Sequence, residues 1–487
     1  MATTMQTMAT AIAERTRTHP ETAAVIWQDR AIGGTAFDAL ATAGATALIH
    51  AGISPGDRVL LHLPNGRELA IACFACFKAG ATAVPVPDGA STAEIRHIAG
   101  SCRPRIGLGC ATMPPPQLPG MQWLLLDADW PPAAATARLP VISEEHNAAI
   151  IYSSGTTGRA RGVTHTHRSL RALLGAYRLA PGAMMTAVIA LPLVHSYGFF
   201  TFIGTVATGG TVVLLADADP EKILDAIDQH SARMTVATPK LALALANAQA
   251  GSPRLLKNLS HINVSGDIVP LEVQQRFRRA FGPRMRRTYG SSEMGPMAAE
   301  PVGTVAGGTL GLPLPGVDIR ILDEHGNDVP DGCTGEIVAR TPWMASGYWD
   351  APAETAAGFR NGYLHTGDLG FRDASMRLHF AARKKELIVS AGQNISPIQI
   401  EEILRRHPAV EDVAVWGLPD IALGQSVSAW VVAKTPVAVE ALREFVRPQV
   451  AKHKCPERIF FVTSLPKTAS GKLQRRMLSL SPDMRPA

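Results

Sequence analysis

The chain has 487 residues, of which 46% are apolar and 6% aromatic, and its formal net charge is +6. Because a single compact core rarely grows to this size, we expect two or more domains. The basic residues are dispersed, without a polybasic block or interleaved aromatic residues, so the charge does not indicate a nucleic-acid-binding protein.

The most apolar run of the chain, residues 69–77, is too short to cross a bilayer, and no membrane span is predicted. Cys73 and Cys76 lie in this run. Because no second Cys/His pair completes a zinc site, we interpret them as residues of a buried helix. The six cysteines do not form a disulfide framework in a chain of this length. The N-terminus lacks the apolar segment of a secretory signal, and we expect a cytoplasmic protein.

A strand-like run at residues 148–152 leads into a loop of small, hydroxyl-bearing and basic residues at 153–162. Helical spacing of apolar residues follows from Leu170 to Tyr177. In a strand–loop–helix arrangement, backbone N–H groups and hydroxyls can surround phosphate oxygens. The loop does not have the spacing of a Walker A motif. Taken alone, it could also be a flexible surface loop.

Strand and helix patterns alternate through the middle of the chain. Strands are predicted at residues 211–215, 234–237 and 262–264. One helix is predicted to begin at Asp219-Pro220, and another has an apolar face at residues 273–281. This rhythm predicts an α/β fold with mostly parallel sheets covered by helices. Ligands of such sheets bind at the carboxyl ends of strands, where Ser153 and Tyr289 are expected.

The character of the chain changes after residue 380. A charged stretch at residues 383–386 precedes a small α/β unit with apolar strands at 413–415 and 427–432. We therefore predict a large N-terminal domain, residues 1–384, and a small mobile α/β C-terminal domain, residues 385–487.

Four further segments follow the loop in order: Tyr-Gly-Ser-Ser-Glu at 289–293, Tyr-Leu-His-Thr-Gly-Asp-Leu-Gly at 363–370, Arg-Lys-Lys-Glu-Leu-Ile at 383–388 and Pro-Lys-Thr-Ala-Ser-Gly-Lys at 466–472. Together with the loop, they resemble the adenylate-forming (AMP-binding) superfamily of acyl-CoA synthetases, luciferases and adenylation domains of peptide synthetases. The resemblance extends from about residue 10 to about residue 476. It implies that ATP activates a carboxylic acid as an acyl-adenylate.

Such a reaction brings a carboxylate and a phosphate together against their repulsion, which calls for a cation at the reacting centre, hydrogen-bond donors and a divalent metal. The resemblance assigns the catalytic cation to Lys472 and the Mg²⁺ carboxylate to Glu293. It places Tyr289 on adenine and has Ser292 donate to the α-phosphate. The full set of nucleotide-binding positions that it implies is Ser153, Ser154, Gly155, Thr156, Thr157, Gly158, Arg161, Gly266, Asp267, Tyr289, Gly290, Ser291, Ser292, Asp368 and Arg383.

Of these, Asp368 and Arg383 match the pair that holds the ribose hydroxyls. Lys385 matches a hinge about which related enzymes rotate the C-terminal domain after adenylation. The segment that includes Gly392 and Gln393 would then line a channel for the pantetheine thiol of coenzyme A or of a carrier protein.

The sequence departs from the family pattern at several positions. Arg161 replaces the usual lysine of the loop and Ala160 the usual proline, while Ala382 and Gln425 replace a usual glycine and glutamate. Because arginine keeps the positive charge, the exchange at Arg161 alters geometry more than chemistry.

The acid-binding pocket of the resembled enzymes is partly built from the segment at residues 192–200. Members that activate amino acids carry Asp at the position of Ser196, and a buried ammonium without such a partner would be costly. We therefore expect an acid without an α-amino group. His195 is a candidate catalytic residue, and its surroundings resemble enzymes acting on benzoate-type or fatty acids. A packed core histidine is the alternative.

Two functions stay open. One is an AMP-forming carboxylic acid:CoA ligase that uses ATP, Mg²⁺ and coenzyme A on an aryl or medium-chain fatty acid. The other is a standalone adenylation enzyme that loads an acyl group onto the phosphopantetheine of an acyl carrier protein. The presence of Lys472, Glu293 and Asp368 argues against a third, non-catalytic function.

Overall fold

The computed structural model describes residues 6–87, 89–127, 130–132, 137–153, 160–177, 185–390, 393–421, 423–467 and 473–478. Several residues of the predicted site lie outside these ranges, and the structure does not test them: Ser154, Gly155, Thr156, Thr157, Gly158, Gly392 and Lys472.

The described helices begin and end at positions that local chemistry explains. In α7 the Asp219 side chain accepts a hydrogen bond from the N–H of Glu221, and Pro220 occupies the first turn, as predicted. α3 ends at Gly80, whose φ of +73° favours glycine. The helices are α1 Met8–Thr18, α2 Gly34–His50, α3 Arg67–Ala79, α4 Thr92–Cys102, α5 His167–Tyr177, α6 Ser196–Ala207, α7 Pro220–Gln229, α8 Pro239–Gly251, α9 Leu271–Phe281, α10 Pro352–Gly358, α11 Pro397–Arg405, α12 Val439–Val446 and α13 Arg475–Leu478, with 3₁₀ turns at Lys384–Glu386, Arg447–Gln449 and Lys452–Lys454.

The strands alternate with these helices along most of the chain. They are β1 Ala23–Trp27, β2 Arg30–Gly33, β3 Arg58–Leu61, β4 Thr82–Pro85, β5 Ile106–Cys110, β6 Gln122–Leu126, β7 Asn147–Ser153, β8 Arg161–Thr166, β9 Thr186–Ile189, β10 Thr211–Leu214, β11 Met234–Ala237, β12 His261–Val264, β13 Met285–Ser291, β14 Gly295–Ala299, β15 Thr309–Pro313, β16 Asp318–Leu322, β17 Gly335–Arg340, β18 Gly347–Tyr348, β19 Phe359–Arg360, β20 Tyr363–Arg372, β21 Leu378–Arg383, β22 Ile388–Ser390, β23 Gln393–Ile395, β24 Val410–Asp420, β25 Gly424–Ala433 and β26 Arg458–Phe461.

The chain packs as two compact units. The first contains the residues up to Ile319 together with Ala339–Leu364, and the second contains Arg320–Val338 together with the residues from His365 onward. The predicted division between residues 384 and 385 falls inside the second unit and stays a prediction about the hinge.

Two sheets make up the first unit, one in the order β15-β14-β13-β12-β11-β9-β10-β1-β2 and the other in the order β18-β8-β7-β4-β3-β5-β6. The central strands pair in parallel, as at β11–β12 and β3–β4. Antiparallel pairs lie toward three of the sheet ends, as at β13–β14 and β7–β8, while the strand at the fourth end, β6, pairs in parallel with β5. The predicted α/β fold is thus confirmed, with parallel sheet centres.

α3 is buried from Leu69 to its end at Ala79. Its aromatic residues pack edge to face with rings of other helices, Phe74 against Phe37 and Phe202 at ring-centroid distances of 5.4 and 5.8 Å. Cys73 and Cys76 are fully buried in this helix, as predicted, and burial raises the pKa of the Cys73 thiol to about 12. Among the described residues, no helix is long and apolar enough to span a membrane.

The prediction of strand, loop and helix around residue 155 was wrong in one respect. Residues 161–166, assigned to the loop and the approach to the helix, form strand β8, which pairs antiparallel with β7 and precedes α5. Its buried residues include Thr164 and His165, so no apolar alternation marks it in the sequence. The flanking residues Ser153 and Arg161 are paired across the two strands.

The second unit has its own core. β23, β22, β25 and β24 form one sheet, to which β26 adds in parallel next to β25. α11 contributes Ile400 and Leu404 to the buried cluster beneath this sheet. The strands predicted at 413–415 and 427–432 are confirmed within β24 and β25.

Candidate active site

The two ends of the predicted phosphate loop lie side by side. Ser153 is the last residue of β7, Arg161 is the first residue of β8, and the two are cross-strand partners. The predicted loop thus connects two strands that pair antiparallel, and a phosphate-binding role for it stays a prediction.

The predicted adenine-side segment forms the end of β13 and the turn into β14. Tyr289 is half-buried and lies two residues before the carboxyl end of β13, close to the strand end where it was predicted. A Cβ atom on Gly290 would lie 2.3 Å from the carbonyl oxygen of Gly295. The closeness of the hairpin backbone therefore requires glycine at position 290.

Ser292 is held from two directions. Its Oγ lies 2.9 Å from Ser196 Oγ, and its carbonyl oxygen lies 2.9 Å from His165 Nε2. A carbonyl oxygen only accepts, so the His165 ring donates through Nε2–H. Burial lowers the pKa of His165 to about 4, and the ring is neutral at physiological pH. The predicted acid-pocket segment and the predicted phosphate donor are therefore in contact.

Glu293 follows in the same turn and contacts a residue that sequence reasoning missed. The Tyr348 hydroxyl donates to Glu293 Oε1 at 3.0 Å, and the guanidinium carbon of Arg161 lies 5.7 Å from the centroid of the Tyr348 ring. Burial, reinforced by the Glu293 carboxylate, raises the pKa of Tyr348, so the phenol stays protonated and acts as a donor.

The oxygen atoms of Glu293 and Ser291 fit a hard divalent cation. Among the described residues, Glu293 Oε2 has no hydrogen-bond partner, and the buried Ser291 Oγ also has none. No group of three or more His, Cys, Asp or Glu side chains that could hold a metal occurs in the described ranges. One carboxylate suits Mg²⁺, which is commonly bound by one or two carboxylates together with substrate phosphates.

Three other predicted residues lie apart from these contacts in the local structure. His195 is exposed and precedes α6 as its N-cap residue, without a side-chain capping bond. Gly266, just after β12, has a φ of +96°, a backbone conformation that favours glycine. The Asp267 side chain accepts a hydrogen bond from the N–H of Ile268 at 2.8 Å. The backbone conformation of the turn explains why position 266 is a glycine, while His195 stays a candidate catalytic residue.

In the second unit, the predicted ribose pair is brought together. Asp368 lies opposite Arg383 across β20 and β21, and Arg383 Nε is 3.2 Å from Asp368 Oδ1. The Asp368 N–H donates to Thr366 Oγ1, and Gly367 between them has a φ of +71°. The carboxylate is mostly buried, so the turn presents one oriented anion.

The predicted hinge and the segment before α13 are tied to one another within this unit. Lys385 lies in the 3₁₀ turn Lys384–Glu386. Arg475, in α13, donates to Glu386 Oε2 at 2.6 Å and to both carboxylate oxygens of Glu401 on α11. Lys467 and Leu473, which flank residues 468–472, form an antiparallel bridge. The position of Lys472 in the chain is thus bracketed by fixed residues.

Sequence reasoning missed Tyr348, His165 and Arg475. None belongs to a motif segment used for the prediction, and each acts through a partner distant in the chain. Tyr348 follows a glycine and precedes Trp349, a pattern that gives no sign of its contact with Glu293. The pairing of β8 with β18 and the hydrogen bond from the Ala345 N–H to the Glu293 carbonyl oxygen bring the tyrosine to that carboxylate.

Comparison with known proteins agrees with this geometry. A family model described as "AMP-binding enzyme" matches residues 12–349, and one described as "AMP-binding enzyme C-terminal domain" matches residues 399–472. Neither match depends on the geometry above.

Individual relatives are similar over long stretches. A long-chain-fatty-acid–CoA ligase of Bacillus subtilis is 33% identical over 70% of this chain, and the match spans 63% of that relative's length. A salicyl-AMP ligase / salicyl-S-ArCP synthetase of Mycobacterium tuberculosis is 30% identical over 92% of this chain and 85% of the relative. The solved structure of o-succinylbenzoate CoA synthetase from Bacillus subtilis, in complex with its acyl-adenylate intermediate, has a TM-score of 0.88 and 27% identity and covers both chains completely (100%).

We expect the ion pairs of Arg475 to stabilise the second unit. Arg475→Met leaves the Glu401 carboxylate, whose side chain is 2% exposed, without its bidentate cation. Removing one partner of a buried pair typically costs about 3–5 kcal/mol in the free energy of unfolding, which urea denaturation of the full chain measures.

Arg405→Ala is the matched control for this experiment. Arg405 contacts the same Glu401 carboxylate at 3.4 Å, but its side chain is 34% exposed, and its loss should cost less than about 1 kcal/mol. Equal losses in the two variants would contradict a special role for Arg475.

Proposed function

The chain belongs to the family of AMP-binding enzymes, and from that premise we propose that it is an ATP-dependent carboxylic acid:CoA ligase that acts through an acyl-adenylate. The observation that carries the proposal is the hydrogen bond between Ser196 and Ser292, 2.9 Å between their Oγ atoms. Ser196 is assigned to the wall of the acid pocket and Ser292 to the α-phosphate, so this contact supports the proposal. An acid bound there would meet the phosphate that it attacks.

The residues divide the chemistry between them. Ser292 donates a hydrogen bond to the α-phosphate, and Arg161 offsets charge on the phosphates. Glu293 would hold Mg²⁺, which supplies charge neutralisation on the phosphate oxygens when bound. Asp368 accepts hydrogen bonds from the ribose hydroxyls, while Arg383 keeps that carboxylate in place through its ion pair. Lys472 is assigned to the attacking carboxylate and the α-phosphate.

Thioester formation is assigned to the second step. After adenylation, Lys385 serves as the hinge about which the C-terminal residues turn, and Gln393 lines the path of the pantetheine thiol. Lys385 lies in the short 3₁₀ turn Lys384–Glu386, between β21 and β22, and this position supports a hinge there.

We propose an acid without an α-amino group, from the aryl or medium-chain fatty class. The Ser196 hydroxyl cannot neutralise an ammonium, and an apolar wall continues along α6, where Phe199 and Phe200 are buried. The similarity to the Bacillus subtilis long-chain-fatty-acid–CoA ligase supports a fatty acyl substrate, of a longer chain than the class proposed here.

The second candidate function is the loading of the acyl group onto a carrier protein. The observation that favours it is the likeness to the Mycobacterium tuberculosis salicyl-S-ArCP synthetase over 92% of this chain. The two functions share the adenylation step and differ only in the acceptor. Pyrophosphate release and thioester formation across a panel of acids, with CoA or with a phosphopantetheinylated carrier protein, separate them. Thioester formed only with the carrier protein would overturn the CoA ligase.

We expect Lys472→Ala to slow acyl-adenylate formation by about 10²–10³-fold, because it removes an electrostatic partner of the transition state. Calorimetry should show ATP binding nearly unchanged, while pyrophosphate exchange measures the adenylation rate. The control is Lys467→Ala, which removes a nearby lysine that pairs with Asp412. Adenylation by Lys472→Ala within about threefold of wild type would remove Lys472 from the mechanism.

Lys385→Pro should block thioester formation and leave adenylation intact. Proline fixes φ near −65° and so prevents the backbone rotation that a hinge needs. The two half-reactions are measured separately, as pyrophosphate release and as thioester. Lys385→Ala, which keeps the backbone free, should retain more of the second half-reaction. An equal fall in both half-reactions of the proline variant would make the position structural.

Among carboxylic acids, benzoate-type or medium-chain acids should release pyrophosphate faster than acetate or any proteinogenic amino acid. Burial gains about 0.8 kcal/mol per methylene, which corresponds to about fourfold in kcat/KM for each added carbon that the pocket accepts. A preference for acetate or an α-amino acid would contradict the role given to Ser196 and leave the adenylation chemistry standing.

A further inference from the structure

Tyr348 contacts both groups that the proposed function assigns to the phosphates and their metal. Its hydroxyl donates to Glu293 Oε1 at 3.0 Å. The guanidinium carbon of Arg161 lies 5.7 Å from the centroid of its ring. Both partners are far from Tyr348 in the chain, so this contact is a product of the fold.

The backbone of Tyr348 is fixed independently of its hydroxyl. β18 pairs antiparallel with β8, with Tyr348 opposite Val163. The Tyr348 N–H donates to Thr355 Oγ1 at 2.9 Å, and the Thr355 hydroxyl donates to the carbonyl oxygen of Ala351 at 2.8 Å. A Cβ atom on Gly347 would lie 2.5 Å from Thr355 Cγ2, so only glycine lets the threonine come this close.

The ring itself is also held by packing. Phe359 meets it edge to face, with ring centroids 5.7 Å apart. The phenol therefore reaches Glu293 from a rigid support. A carboxylate on a flexible side chain gains a preferred orientation from such a donor, because fewer rotamers satisfy the hydrogen bond.

We propose that Tyr348 is a positioning residue for the Mg²⁺·ATP site, where its hydroxyl orients the Glu293 carboxylate and keeps one oxygen for the cation. The inference rests on the proposed function, because the metal-binding role of Glu293 is part of it. Among the described residues, Tyr348 is the hydrogen-bond partner of Oε1, and Oε2 has none. Partners that orient a metal ligand in this way typically account for about 10–100-fold in metal affinity.

Tyr348→Phe removes the hydroxyl and keeps the ring, its packing on Phe359 and its contact with Arg161. Titration calorimetry of the full chain with ATP, in the presence and absence of Mg²⁺, gives the gain in ATP affinity that Mg²⁺ confers. We expect this gain to fall by about 10–100-fold. The affinity for ATP without Mg²⁺ and the thermal unfolding midpoint should stay at their wild-type values. If the hydroxyl had only a structural role, its removal would instead lower the unfolding midpoint.

Tyr363→Phe is a matched control, because the chain repeats the same arrangement there. The Tyr363 hydroxyl donates to Asp318 Oδ2 at 2.6 Å, and the guanidinium carbon of Arg340 lies 5.0 Å from its ring centroid. Removing this hydroxyl should leave the effect of Mg²⁺ on ATP affinity unchanged. An equal loss in both variants would overturn the proposal.

Glu293→Gln separates failure of the inference from failure of the proposed function. If Tyr348 acts through Glu293, the variant that combines Tyr348→Phe with Glu293→Gln should lose no more of the gain in ATP affinity conferred by Mg²⁺ than Glu293→Gln alone. A wild-type Mg²⁺ effect in Tyr348→Phe, together with a loss in Glu293→Gln, would overturn the inference alone. A wild-type Mg²⁺ effect in Glu293→Gln would overturn the metal-binding role of Glu293 and the inference with it.

Discussion

The register of β8 between β7 and β18 is the constraint on which the site of the first unit depends. Because side chains alternate along a strand, Arg161 and His165 lie on the same face of β8. Tyr348 stands opposite Val163 and shares that face. One strand thus carries the loop cation, supports the Ser292 carbonyl and brings in a donor for the metal carboxylate. A shift of one residue would turn all of these side chains to the other face.

Burial decides the protonation states of the groups around that strand. His165 is almost completely buried and stays neutral, so it can donate to the Ser292 carbonyl without adding charge beside the phosphates. The Tyr348 phenol is likewise held protonated. The charges left at this site are those of Arg161 and Glu293, which suit a phosphate and a divalent cation respectively.

The second unit uses ion pairs in a similar supporting role. Arg475 joins α13 to α11 and to the 3₁₀ turn of the predicted hinge, through Glu401 and Glu386. Glu401 is almost completely buried, so this network specifies how α13 packs against α11. The ribose pair, Asp368 and Arg383, depends instead on strand pairing, because the two residues face each other across β20 and β21.

The sequence by itself determined the family and the α/β alternation, because motif residues and apolar periodicity are local properties. It also predicted the roles proposed for Glu293 and for the Asp368–Arg383 pair. The tertiary structure alone decided which residues support them. β8 escaped detection because its buried residues include the polar Thr164 and His165, so the strand shows no apolar alternation, and His165 donates to Ser292, a partner distant in the chain. The contact of Tyr348 with Glu293 spans 55 positions of the chain and follows from strand register, which a linear pattern does not encode.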